Sequence, residues 1–182
     1  MRFNERKATQ AAAYLLKRRG GQMSYLKLIK LLYLADRAAL ARWGRPITTD
    51  RYFSMNHGPV LSHVLDLVTD GDAPGEEVVW DKAVSAPANY EVQLKADPGD
   101  DELSEAELAV LDEVWRQYGC MGRWDLVELA HKLPEWKDPQ GSAIRISYRD
   151  ILAAQGISDE EIGAIEEEIC GVAATQDLVG AR

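Results

Sequence analysis

The chain has 182 residues and a formal net charge of −9, from 21 Lys and Arg against 30 Asp and Glu. A hydrophobic content of 46%, with five Trp and seven Tyr, supplies enough apolar material for one packed core and excludes a chain that is disordered throughout. The charge is divided: residues 1–51 hold twelve basic and three acidic side chains, whereas residues 52–182 hold nine and 27, a basic arm on an acidic body.

In chain order, Ala8, Ala11, Ala12 and Leu15 lie at helical spacing and predict a first helix over 5–19, stopped by Lys17-Arg18-Arg19 and Gly20-Gly21. Ser24 is placed to cap a second helix over 25–43. This helix is apolar around nearly its whole circumference, which is the pattern of a domain's buried centre. Lys27, Lys30 and Arg37 form a narrow basic stripe on it, and Asp36 falls among its apolar positions, where a carboxylate must find donors. Gly44-Arg45-Pro46 ends the helix.

Residues 50–55 read as a strand, His57-Gly58-Pro59 as a break, and Pro59 as the first position of a helix over 60–69. A loop over 70–75 follows, then two strands at 78–80 and 90–94, giving a small three-stranded antiparallel sheet. After the turn Asp97-Pro98-Gly99 one signature recurs three times: Ser104 with Glu107, Ser147 with Asp150 and Ser158 with Glu161, each flanked by apolar residues, predict capping boxes at three helix starts. A further helix spans 124–132. The last helix carries Ile162, Ile165, Ile169 and Val172 on a thin apolar stripe amid glutamates, suited to packing or to docking a basic partner. The expected fold is α+β and mainly α, a helical domain around a central apolar helix with a small sheet.

The start of the chain lacks the apolar stretch of a secretory signal, and no apolar run approaches the ~20 residues of a membrane helix, so a cytoplasmic location is expected. Cys120 and Cys170 lack zinc or disulfide spacing and read as buried small hydrophobes. None of the phosphate-binding, nucleophile-elbow or zinc-protease motifs is present. A hydrolase would have to use Cys120 with His131, a pairing that nothing in the spacing supports. His57 and His63, six apart, do not match a metal-ligand spacing, and no metal or cofactor is expected. A nucleic-acid-binding regulator would have to use Lys27, Lys30 and Arg37, against an acidic body that repels phosphates. Trp136, following Pro134, is a candidate interface anchor or a lid on the core.

Lys27-Leu28-Ile29-Lys30-Leu31-Leu32-Tyr33-Leu34-Ala35-Asp36-Arg37, then Gly44-Arg45-Pro46-Ile47, then Met55-Asn56-His57-Gly58-Pro59-Val60 resemble the Panacea or SocA-like antitoxin domain. Leu126-Val127-Glu128-Leu129-Ala130-His131 and Pro134-Glu135-Trp136 are similar to the family's later segment. The resemblance covers roughly residues 8–155, with 156–182 as an acidic extension, and Asn56-His57 departs from the aromatic or basic residue common before Gly-Pro-Val. It implies a type II antitoxin that neutralises a cognate toxin by binding it, with delivery to the ClpXP protease, as SocA does, as a second route. Leu28, Leu31, Leu32, Tyr33, Gly44, Pro46, Gly58, Pro59, Val60 and His131 are then structural motif residues. Lys27, Lys30, Arg37, His57 and Trp136 are the candidates for partner binding.

Overall fold

A computed structural model describes residues 2–69 and 79–179, with side chains described as far as residue 172. Helix α1 (Glu5–Arg18) is capped by Asn4, whose side chain accepts from the Lys7 amide, and it buries a row of alanines together with Leu15 and Leu16. Those alanines have no side chain beyond Cβ, so α1 can lie close against its neighbours. Strand β1 (Gln22–Ser24) leads into α2 (Tyr25–Trp43), which Gly44 closes in the left-handed conformation at φ 74°. Twelve residues of α2 are buried, and α1, α5, α6 and α7 all pack on it, as expected of an apolar helix at the centre of its domain.

Strands β2 (Tyr52–Met55) and β3 (Gly58–Leu61) form a hairpin around Asn56-His57, and α3 (Ser62–Thr69) follows directly. This corrects the expectation that Pro59 opens a helix. Pro59 sits instead in β3, an edge strand, where its missing N–H costs no ladder bond. The helix start moves to Ser62 because the Asp50 carboxylate accepts from the His63 and Val64 amides and serves as the cap. The same carboxylate meets His63 Nδ1 at 2.7 Å, so His63 belongs to this structural contact.

The region expected to be a strand at 78–80 is also corrected. Val79–Ala83 is a short helix, α4, whose Trp80 is buried against α1 and whose Trp80 amide donates to Glu5; Val78 and the loop expected at 70–75 lie outside the described residues. Strand β4 (Glu91–Gln93) therefore pairs with β1, Met23 opposite Val92. The three-stranded antiparallel sheet keeps the expected strand at 50–55 as β2 but has two other partners: its order is β3-β2-β5, where β5 (Ile144–Ile146) is a strand that the sequence pattern did not reveal. Its short Ile-Arg-Ile run has too few alternating positions to register as a strand.

Helices α5 (Glu105–Tyr118), α6 (Arg123–His131), α7 (Tyr148–Ala154) and α8 (Asp159–Val179) complete the fold. All three expected capping pairs form: Ser104 with Glu107, Ser147 with Asp150 and Ser158 with Glu161 each exchange side-chain and backbone hydrogen bonds. The last helix is anchored by fully buried Ile162 and by Ile165, which contacts Gly44. The fold is α+β and mainly α, with described sheets of two and three antiparallel strands.

The charge division closes on itself. Arg6 pairs with Asp101, Lys7 with Glu107, Lys17 with Asp97, Arg18 with Asp112 and Arg42 with Glu113, so the acidic α5 and the loop before it cover the basic arm.

Candidate functional site

The polar side chains of α2 reach in separate directions and pin later segments to the helix. Asp36 is fully buried, and its carboxylate accepts from the Ile47 and Thr48 amides at 2.8 and 3.0 Å, from the Thr48 hydroxyl and from the Tyr52 hydroxyl at 2.9 Å. Burial raises its pKa to about 6 in spite of these donors. The carboxylate thereby ties the chain leaving α2 and the first residue of β2 to the helix.

Lys27 and Lys30 do not form an exposed stripe. Lys27 Nζ donates to the carbonyls of Gly119 and Met121 at 2.7 and 2.8 Å, holding the loop between α5 and α6. Lys30 Nζ donates to Pro59 O at 2.6 Å, and burial pushes its pKa down to about 7. Burial at 6% and 1% exposure, together with these carbonyl contacts, makes both lysines internal braces and removes them as surface contacts. The long apolar stems of the two lysines are what allowed them to be drawn inside. Arg37 is half-buried against buried Glu135, with Nε to Oε1 at 2.6 Å, and Tyr33 donates to the same oxygen at 3.0 Å.

The hairpin turn of β2 and β3 is gripped from several sides. Gly58 has φ 89°, and a Cβ there would lie 3.0 Å from the Ala130 Cβ and 3.3 Å from Lys30 Nζ, so glycine is required both for conformation and for space. His131 Nε2 donates to Asn56 O at 3.1 Å, Trp136 Nε1 donates to Met55 O at 3.2 Å, and the two rings stack with centroids 4.2 Å apart. Trp136 is thus half-buried as a lid on the hairpin, the second of the two roles its position offered. His57 projects from the other side of this braced turn into contact with Trp124, ring centroids 5.5 Å apart.

On that side lies an apolar groove of about 580 Å³ between α2, the hairpin and the start of α6, walled by Tyr25, Ile29, Met55, Val60, Tyr90 and Trp124. Tyr90 is 67% exposed and Trp124 53%, the two largest exposed aromatics among the described residues. Arg123 lies between them, its guanidinium carbon 5.8 Å from the Tyr90 ring centre and 5.5 Å from that of Trp124. Asn89 and Tyr90 hold the turn before β4 at φ 53° and 65°, a left-handed pair in which a tyrosine stands where glycine is usual. Sequence reasoning missed Tyr90, Arg123 and Trp124, since nothing in their spacing distinguishes them from strand and helix residues that pack inward.

A second groove of about 500 Å³ adjoins the first and shares Ser24 and Arg123 with it; Arg19, Lys27, Glu91 and Cys120 also line it. Cys120 and Cys170 are both exposed, correcting their expected burial. Cys120 faces this groove while His131 is engaged by Asn56 and Trp136, so the contacts of neither residue supply the dyad that a hydrolase would need. Among the described residues no group of three or more His, Cys, Asp and Glu could hold a metal ion, and no helix is long and apolar enough to cross a membrane.

Residues 28–137 match the family model of the antitoxin SocA-like, Panacea domain. The chain belongs to this family. The matched span begins inside α2 and ends one residue past Trp136, so it contains the central helix from Leu28 onward, the braced hairpin and α6. The motif residues Tyr33, Gly44, Gly58, Pro59 and His131 all lie within it at the structural junctions described above, and membership in the Panacea family supports an antitoxin role. No curated protein and no solved structure matches the chain.

Proposed function

We propose that this protein neutralises a toxin by binding it directly, using the face of the Panacea domain that carries His57, Tyr90 and Trp124. The family match over residues 28–137 carries this reading. The braced hairpin and the exposed aromatics support the choice of face, because large exposed aromatic groups on a rigid support are the usual anchors of protein interfaces. His57 thereby remains a partner-binding candidate, whereas Lys27, Lys30, Arg37 and Trp136 act by holding the face in place. The basic arm offers little to a nucleic acid, since Arg6, Lys7, Lys17, Arg18, Arg37 and Arg42 are all matched to carboxylates.

The test is co-expression with the product of the adjacent open reading frame. Growth arrest by that product alone, relieved by this protein, and a co-purifying complex are the expected results. A neighbour that is harmless, or that arrests growth equally with and without this protein, overturns the reading. The half-life of the toxin in cells with and without ClpX separates delivery to the protease from simple blocking.

A further inference from the structure

We infer that the N-terminus of α2 is a receptor for an acidic side chain of the partner polypeptide, with an apolar or aromatic neighbour of that residue seated in the groove beside Trp124. The inference rests on the toxin-binding reading for the identity of the partner and supplies the chemistry by which the partner is recognised.

The argument starts from Ser24. It occupies the N-cap position of a 19-residue helix, yet its hydroxyl makes no capping bond. Ser24 is only 9% exposed, its Oγ has no hydrogen-bond partner among the described residues, and it lines both grooves at their junction. A buried hydroxyl without a partner is costly, so one in the wall between two grooves favours a ligand atom that can reach it. The first turn of α2 has no acidic residue; its Tyr25 amide donates to Tyr90 O at 3.0 Å, and Ser24 gives no side-chain cap, which leaves the positive end of the helix dipole without a counter-charge. Tyr25 and Leu26 line the apolar groove and Lys27 the other, so this first turn is the wall that the two grooves share.

Charge complementarity selects an acidic occupant. Arg19 and Arg123 line the second groove without an ion-pair partner among the described residues, whereas most of the arm's other cations are paired. Arg18, also in this groove, is held by Asp112, and the one acid lining it, Glu91, accepts from Gln22. In a chain with a net charge of −9, two guanidinium groups without a carboxylate partner beside a helix N-terminus that has no side-chain cap favour a carboxylate. The apolar groove next to it, with Tyr90 held in a left-handed conformation at its edge, takes the adjoining aromatic or aliphatic side chain. A backbone strain of this kind persists where the surrounding structure enforces it, and here it leaves the Tyr90 ring exposed beside Arg123.

Two measurements test the site. In the first, the affinity of the purified protein for the adjacent gene's product is compared with that of Ser24→Ala, Arg123→Glu and Trp124→Ala, each checked for an unchanged melting temperature. Arg123→Glu and Trp124→Ala are expected to weaken binding by at least about tenfold and Ser24→Ala by a few-fold, and an acid-to-lysine change in the toxin is expected to restore binding to Arg123→Glu. Full-strength binding by all three variants overturns the site while leaving toxin binding intact. In the second, a random peptide library displayed on phage is selected on the wild-type protein. Enriched peptides with Asp or Glu beside an aromatic or aliphatic residue, which fail to bind Arg123→Glu, support the site even if the neighbour's product does not bind. Selection of basic or uncharged peptides, of peptides indifferent to Arg123→Glu, or of none overturns it.

Discussion

Lys30 holds a buried ammonium against a single carbonyl, Pro59 O, and its proton is correspondingly easy to lose. Its pKa falls from the ordinary 10.5 to about 7 through burial. Between those values the unfolded chain binds a proton that the folded chain does not, so stability rises with pH across that window and the contribution is absent below it. One proton sets a ceiling of about 1.4 kcal/mol per pH unit on the slope. Lys27, whose pKa burial also lowers, adds a slope of the same sign. Tyr33 and Tyr52, whose pKa values burial raises, act in the opposite direction above pH 10, so urea unfolding between pH 7 and 9 isolates the lysines. The expected outcome is a stability that climbs over this range in the wild type and climbs clearly less in Lys30→Met. Equal slopes in the two proteins would show that Lys30 keeps its proton in the folded state.

At the scale of elements, β3 of the hairpin packs against both α2 and α6, and Gly58 lies where Lys30 of one helix and Ala130 of the other come close to it. Gly20 offers a control, with φ 90° against 89° at Gly58 but nothing within 4 Å of a built Cβ. Gly20→Ala carries only the left-handed conformational cost, of order 1–3 kcal/mol. Gly58→Ala adds contact with the Ala130 Cβ at 3.0 Å and is expected to lower the urea midpoint further than Gly20→Ala. Equal losses would mean that α6 moves aside freely. The same hairpin shows what was legible in the residues. The central helix, its Gly44 stop and the three serine caps followed from local chemistry that each segment carries within itself. The break at His57-Gly58-Pro59 was also visible, but a Gly-Pro pair opens a helix or turns a hairpin with equal ease locally. The choice was made by Asp50 capping Ser62 onward and by Lys30 binding Pro59 O, contacts between residues that are far apart in sequence. For the same reason the lysines looked like a surface stripe: the acceptors of Lys27 lie at Gly119 and Met121, more than ninety residues away, and that of Lys30 lies at Pro59, across the break. Of the proposed binding face, only His57 was in view, because Tyr90 and Trp124 acquire their exposure from tertiary placement.

Across the whole molecule the basic arm and the acidic body are two halves of one electrostatic contact. Arg6 and Lys17 meet Asp101 and Asp97, and Arg42 meets Glu113, on a surface where salt screens strongly. The urea midpoint is therefore expected to fall when NaCl is raised from about 0.05 to about 1 M, where the Debye length shortens to about 3 Å. A midpoint that is unchanged or raised would show that these pairs are balanced by the cost of ordering their side chains.

The partners in these contacts are far apart along the chain, 95 residues for Arg6 and Asp101 and 94 for Arg18 and Asp112. Before any helix packs, a segment of net positive charge and one of net negative charge already belong to the same flexible polymer, and their attraction shortens the mean distance between them. The long loop that must close to bring α5 onto α1 thus begins from a contracted ensemble, which lowers the entropic barrier to its closure. The charge division is in this sense a kinetic guide, biasing the search toward the arrangement in which the two halves cover each other, and its strength is set by the ionic strength in which the chain folds.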